Sequence, residues 1–219
     1  MASINKPEIF LLSLAFQSFL DKSYESLIDG LHKSATLKRA KATGSAIRYL
    51  DTNNPKAIIV TDEGLTETEN KAALDKVMLY LRNGGLVIFA LHFPSFITMD
   101  VFDRFWKQTF DLPWKHGDYH RTDFQFNRTC TLPNSVASAS FPAPYSMKVL
   151  HVKDARSHEK LFVPTPGSMT QSHVFPPGHV DLAQAGIVGT KVGNGYMVYV
   201  GDVNGEKGSD SAILALCGL

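Results

Sequence analysis

The chemically most suggestive residue in the chain is a histidine that closes a purely apolar run. His92 follows Leu86 to Leu91, and an imidazole held in a partly apolar crevice can act as general acid or base near neutral pH. A second strong apolar run, Lys56 to Thr61, is closed by two carboxylates, Asp62 and Glu63. Neighbouring side chains on an extended chain point opposite ways, so Glu63 is expected to reach the crevice. Asp62 then lies at its margin, touching substrate or capping the turn before Gly64. With Glu63 beside His92, burial and charge proximity would split acid and base roles between them. Gln17, Phe93 and Asp202 are candidate substrate contacts at the same edge. Asn204 can reach it too, although Asp-Val-Asn-Gly at 202–205 equally spells a turn.

A second constellation is His116-Gly117-Asp118-Tyr119-His120. Alternate spacing on a strand would put His116, Asp118 and His120 on one face, where they could hold a divalent ion. Another reading makes Trp114 and Tyr119, with Phe124 and Phe126, the wall of a pocket for an apolar or aromatic molecule; packing of these rings in the core is the plainest. No metal or cofactor is assigned. The chain contains no Walker loop, GxGxxG, HExxH or GxSxG, and Ser168 lacks the context of a nucleophile elbow.

Composition narrows the partners. A net charge of +1 over 219 residues leaves no broad basic surface, and Lys38-Arg39-Ala40-Lys41 reads as a solvated strand or loop, so nucleic acid is not an expected partner. Cys130 and Cys217 share no CxxC or Cys/His metal spacing, which points to a reduced, cytoplasmic protein. The apolar run Ile9 to Leu14 is preceded by Glu8 and reads as a first strand, not a leader. Nothing approaches the ~20 apolar residues of a membrane span. The expected partner is a small molecule, and the apolar insertion offers surface for a homodimer.

These side chains need strands and helices to hold them, and the first half of the chain alternates the two signals. Ile9 to Leu14, Lys56 to Thr61 and Leu86 to Leu91 have the largely apolar character of strands buried on both faces of a parallel sheet. Leu37 to Thr43 reads as an edge strand and Ser45 to Leu50 as a short helix. Thr66 and Glu69 have the spacing of a capping box before a helix ending at Gly84-Gly85, and Thr98 or Asp100 opens the next helix. From 113 to 177 prolines interrupt the pattern, which predicts an irregular insertion in which Met147 to Val152 pairs with Lys160 to Val163. Gly193-Asn194-Gly195 predicts a hairpin, and Ser209 or Asp210 a cap on the closing helix. The sum is one α/β domain over 1–219.

Tyr80-Leu81-Arg82-Asn83-Gly84-Gly85-Leu86-Val87-Ile88 and Gly193-Asn194-Gly195-Tyr196-Met197-Val198-Tyr199-Val200-Gly201-Asp202 resemble two segments of the class I glutamine amidotransferase-like superfamily, closest to its ThuA-like branch. The resemblance covers the outer two thirds of the chain. It implies a flavodoxin-like three-layer sandwich with a mainly parallel central sheet, a C-terminal β-hairpin and a final helix. True glutaminases and DJ-1-like relatives present a cysteine nucleophile on a strained turn after the glycine pair, whereas this chain has Ala90-Leu91-His92 there. ThuA-like proteins commonly carry a histidine at that strand end. The implied function is an enzyme of hydrolase, lyase or isomerase type working by acid/base chemistry, without glutaminase activity. The other class is a silent binding or interaction module that kept the fold after losing the nucleophile.

Overall fold

Short runs of Ile, Val, Leu and Phe set the centre of the molecule. In the computed structural model, which describes residues 6–133, 136–172 and 174–219, they become strands with no exposed residue. In chain order the elements are β1 (Glu8–Leu12), α1 (Leu20–Ser23), α2 (Glu25–Ser34), β2 (Thr36–Ala40), α3 (Thr43–Thr52), β3 (Ala57–Val60), α4 (Lys71–Arg82), β4 (Leu86–Phe89), α5 (Phe93–Phe96), α6 (Met99–Phe110), β5 (Lys115–Phe126), β6 (Tyr145–Lys153), β7 (Lys160–Pro164), β8 (Ile187–Val192), β9 (Gly195–Val200) and α7 (Lys207–Leu216). The fold class is α/β: one mixed sheet in the order β2-β1-β3-β4-β9-β8-β7-β5-β6, flanked by helices.

Alternation along the central strands divides two apolar cores. Phe10, Ile58, Val60, Val87 and Phe89 pack with Ala46 of α3, Val77 and Leu81 of α4, and Phe102 and Trp106 of α6. Ile9, Leu11, Ile59 and Ile88 point the other way, onto Leu27 and Leu31 of α2 and Ile213 and Leu216 of α7. Burial on both faces is why these strands read as unbroken apolar runs rather than alternating ones.

The sheet is less parallel than the resemblance implies. Pairings β2-β1-β3-β4-β9 are parallel, whereas β9-β8, β8-β7, β7-β5 and β5-β6 are antiparallel. The predicted hairpin at Gly193-Asn194 forces the first of these reversals. The 113–177 segment is also more regular than its prolines suggest, because it contributes β5, β6 and β7. Pro113 and Pro144 fall just before strands, and Pro133 and Pro142 lie in the connection between β5 and β6, where no ladder amide is needed. Both β6 and β7 pair with β5, not with each other as predicted. The antiparallel half curls until β6 meets the ends of its neighbours: Leu150 N donates to Gly201 O at 3.0 Å and Val152 N to Ala185 O at 2.8 Å.

Two caps differ from expectation. Thr66 sits in a 3-10 turn, Glu63–Thr66, and its hydroxyl donates to Glu63 O at 2.8 Å, so α4 begins only at Lys71. Helix α7 begins at Lys207, ahead of Ser209 and Asp210, with the Glu206 amide bound to the Asp202 carboxylate at 2.8 Å. Among the described residues no helix is long and apolar enough to cross a membrane.

Candidate functional site

The site is built by the turn after β4. Ala90 N still donates to Val60 O at 3.0 Å, holding the chain on β3, and then Leu91 turns sharply with φ +61°. A leucine in this left-handed region costs about 1–2 kcal/mol, so its surroundings must enforce it. Tyr24 donates its hydroxyl to Leu91 O at 2.7 Å, and the Leu91 side chain is buried in the core that contains Tyr24 and Leu27. On the far side Phe93 is sealed among Phe89, Trp106 and Tyr199, with ring centroids 5.0, 6.0 and 6.2 Å away. Pinned at both ends, the elbow directs His92 to the start of α5.

The His92 residue is 4% exposed and faces three aromatic rings: Phe19 and Phe96 at 5.0 Å and Tyr24 at 5.4 Å. Its Nδ1 is buried without a partner among the described residues. Burial disfavours the charged form and pushes the imidazole below its ordinary 6.5, so it is neutral at pH 7. A hollow of about 360 Å³ opens beside it, walled by Phe19, Tyr24 and Phe96 and rimmed by Ser23, Ser95 and Asn204. Among the described residues no Asp, Glu, Lys or Arg lines it.

The other predicted residues scatter. Glu63 begins the 3-10 turn that packs against α5, yet it makes no hydrogen bond to His92 and does not line the hollow. Its carboxyl is pushed up by burial and then by Asp62 and Glu67. Its Oε2, like His92 Nδ1, is buried without a hydrogen-bond partner among the described residues. Asp62, 1% exposed, staples two loops: Oδ1 accepts from Ala15 N at 2.9 Å and Gly64 N at 3.2 Å, and Oδ2 from the Thr61 hydroxyl at 3.2 Å. It caps the turn. Gln17 is exposed outside the hollow, where its carbonyl accepts from Leu20 N at 3.0 Å. Phe93 and Trp114 are core residues, the latter donating its indole N–H to buried Glu159 at 2.9 Å. Tyr119 is exposed on β5, with the Lys148 ammonium 5.1 Å from its ring centre. Asp202 is the turn residue of the alternative reading: Oδ1 accepts from Asn204 N and Oδ2 from Glu206 N, both at 2.8 Å. By holding that turn it places Asn204 on the hollow's rim.

The proposed metal face is broken by a β-bulge. His116 pairs with Val152 but Tyr119 with Leu150, three residues on β5 against two on β6, so His120 lands on the face opposite His116. His116 instead bonds Asp103 through Nδ1 at 3.0 Å, and Asp118 accepts from Gln184 at 3.0 Å. His120 lies tilted against His151, with ring centroids 4.4 Å apart and 41° between the ring planes. Among the described residues no three His, Cys, Asp or Glu side chains converge on a metal position.

Phe19, Tyr24, Ser95 and Phe96 were not foreseen as site residues. Phe19 and Phe96 are 49% and 41% exposed, a signal hidden in the sequence because Phe19 fits the same helical stripe as buried Leu20.

Solved structures of similar shape exist at low sequence identity. The chain matches a ThuA-like protein from Bacteroides uniformis with TM-score 0.56 and 10% identity, over 99% of this chain and 91% of that one. A ThuA-like protein from Parabacteroides merdae gives TM-score 0.56 and 10% identity over 98% and 89%. The fold is shared with ThuA-like proteins. A β-galactosidase from Bacillus circulans sp. alkalophilus also matches, with TM-score 0.55 and 10% identity over 98% of this chain but 31% of the enzyme. No protein-family model and no curated protein sequence matches the chain.

Proposed function

We propose that the chain binds a small uncharged organic molecule in the hollow beside His92, and that the ligand is of saccharide type. The observation that carries this reading is a neutral imidazole, its Nδ1 unpartnered among the described residues, set among three aromatic rings at a strand end that carries no cysteine nucleophile. Exposed faces of Phe19 and Phe96 suit the apolar face of a sugar ring, while Ser23, Ser95, Asn204 and His92 suit its hydroxyls. The absence of charge in the lining argues for a neutral ligand. The strained residue of the elbow is leucine, which supports a binding module that kept the architecture without covalent chemistry. A β-galactosidase in which a similarly shaped region makes up 31% of the chain gives a precedent for such a fold within a larger enzyme. The flavodoxin-like three-layer description, applied to the parallel half, and a cytosolic setting with two free cysteines belong to the same reading.

One observation favours a catalytic variant. An imidazole held neutral at pH 7 is competent as a general base, and His92 would then serve a hydrolase, lyase or isomerase alone, without Glu63. Calorimetric titration with glucose, galactose, maltose and trehalose tests the binding reading. At least one sugar should bind, with affinity falling about tenfold or more in His92→Ala and Phe96→Ala proteins that keep their fold. Failure of all four sugars, or affinity indifferent to both substitutions, overturns it. Turnover of the bound sugar, lost in His92→Ala, selects the catalytic variant.

A further inference from the structure

A second cavity, of about 450 Å³, opens at the opposite, amino-terminal end of the parallel strands. Its floor is the start of β4 and β9, at Leu86 and Tyr196, and one wall is the end of α7 at Leu216. Most of the remaining wall is the backbone of Gly84, Gly85, Gly193 and Gly195, with Pro133 and Cys217 beside it. Gly84 leaves α4 with φ +109°, and a side chain added there would meet nothing within 4 Å, so the wall is open where Gly84 stands. Gly193 and Gly195 let the β8-β9 hairpin lie directly on the end of α4: Asn194 N donates to Arg82 O and Tyr196 N to Gly85 O, both at 3.0 Å.

Its rim carries two cations. Lys56, just before β3, and Lys191, near the end of β8, both line the cavity, as does Asn194, and no acidic side chain does so among the described residues. The Lys56 ammonium is steadied by donating to Gly218 O at 2.9 Å, which leaves further N–H donors for a ligand. Two ammonium groups over a floor of Leu86, Tyr196 and Leu216 form an amphipathic acceptor, cationic at the mouth and apolar beneath. Its volume falls within the range of small-molecule sites.

We infer that this cleft binds a small organic anion, a molecule joining one phosphate or carboxylate group to an apolar body, independently of the hollow at His92. The charged group would lie between Lys56 and Lys191, and the body over Tyr196 and Leu86.

Amide chemical-shift titration of the full chain with phenyl phosphate, benzoate and inorganic phosphate tests the inference, with phosphate and carboxylate arms separating the two kinds of head group. Phenyl phosphate or benzoate should perturb Gly84, Gly193 and Asn194 and bind more tightly than inorganic phosphate. Lys191→Gln should weaken that binding about tenfold. Salt at about 1 M should weaken it as well, because the screening length then falls to about 3 Å. His92→Ala should leave it unchanged, so loss of the sugar site and loss of this one are distinguishable. Lys56→Gln also removes the contact to Gly218, so the exposed Lys191 variant carries the decision should Lys56→Gln fail to fold. No saturable binding at millimolar probe, equal binding by inorganic phosphate, or affinity untouched by Lys191→Gln overturns the inference.

Discussion

The two ends of the same parallel strands have opposite characters. At the carboxyl end, the hollow beside His92 is uncharged, walled by aromatic rings, and organised by a strained elbow. At the amino end, the cleft is paved by glycine backbone and edged by two lysines. The difference follows from local geometry. Leaving β4, the chain meets bulky residues, Leu91, Phe93 and Phe96, whose packing fixes the turn and leaves one imidazole between rings. Entering β4 and β9, it uses Gly85 against the Tyr80 ring and Gly193 and Gly195 against the backbone of Leu81, Arg82 and Gly85, close approaches a side chain would block, while Gly84 alone faces open space. One end is specified by what its side chains fill, the other by how closely its glycines let helix end and hairpin approach.

The most severe test of this contrast is Phe93→Ala. If Phe93 anchors the elbow rather than touching ligand, the substitution should cost about 3–5 kcal/mol in denaturant unfolding, as for a fully buried aromatic. A protein of unchanged stability that lost sugar binding would return Phe93 to the site. Next in size is acid sensitivity. Burial pushes His151 down to about 4 from 6.5, so between those values the unfolded chain binds a proton that the folded chain refuses. Its contribution to stability is thus complete above pH 6.5 and lost as pH falls toward 4, by up to about 3 kcal/mol. His151→Gln should flatten that part of the profile in urea melts at pH 4.5 and 7.5.

Asp62→Ala should cost about 2 kcal/mol by stranding the amides of Ala15 and Gly64, and it should leave the His92 hollow's ligand preference intact. The smallest effect has the opposite pH sign. Burial, reinforced by Asp202 and Glu206, raises Asp210 to about 6 from 3.8, so its folded form keeps a proton longer than the unfolded chain does. Stability from this group is complete below pH 3.8 and lost as pH rises through 6. Asp210→Asn should therefore stabilise the protein at pH 7.5 by about 1 kcal/mol after allowance for solvent screening, and do nothing at pH 3.5. A destabilised Asp210→Asn protein at pH 7.5 would contradict the burial argument.

Much of the parallel half is legible in the amino-acid sequence because its signals are local. Apolar runs at 9–14, 56–61 and 86–91, and the hairpin at 193–195, each announce an element without help from the rest of the chain. The antiparallel half is harder. β5 runs for 12 residues, but its pattern is spoiled by a bulge that reverses the facing of its side chains partway along, which is also why the His116, Asp118 and His120 set dissolves. His92 was legible from its position at a strand end. Its companions were not: Phe19 and Tyr24 come from the segment after β1, about seventy residues earlier in sequence, and only the packing of α1 and α2 beside α5 brings them together. The orientation of Glu63 was not legible for a related reason, since the chain turns into a 3-10 helix directly after Asp62 and strand alternation no longer applies.

The account rests on His92 being a neutral imidazole that acts without a carboxylate partner, and its titration by NMR tests this most directly. The His92 ring resonances should report a pKa below 6.5 that is the same in Glu63→Gln as in the native chain. A value above 6.5, falling when the Glu63 charge is removed, would show a coupled acid/base pair and contradict the account.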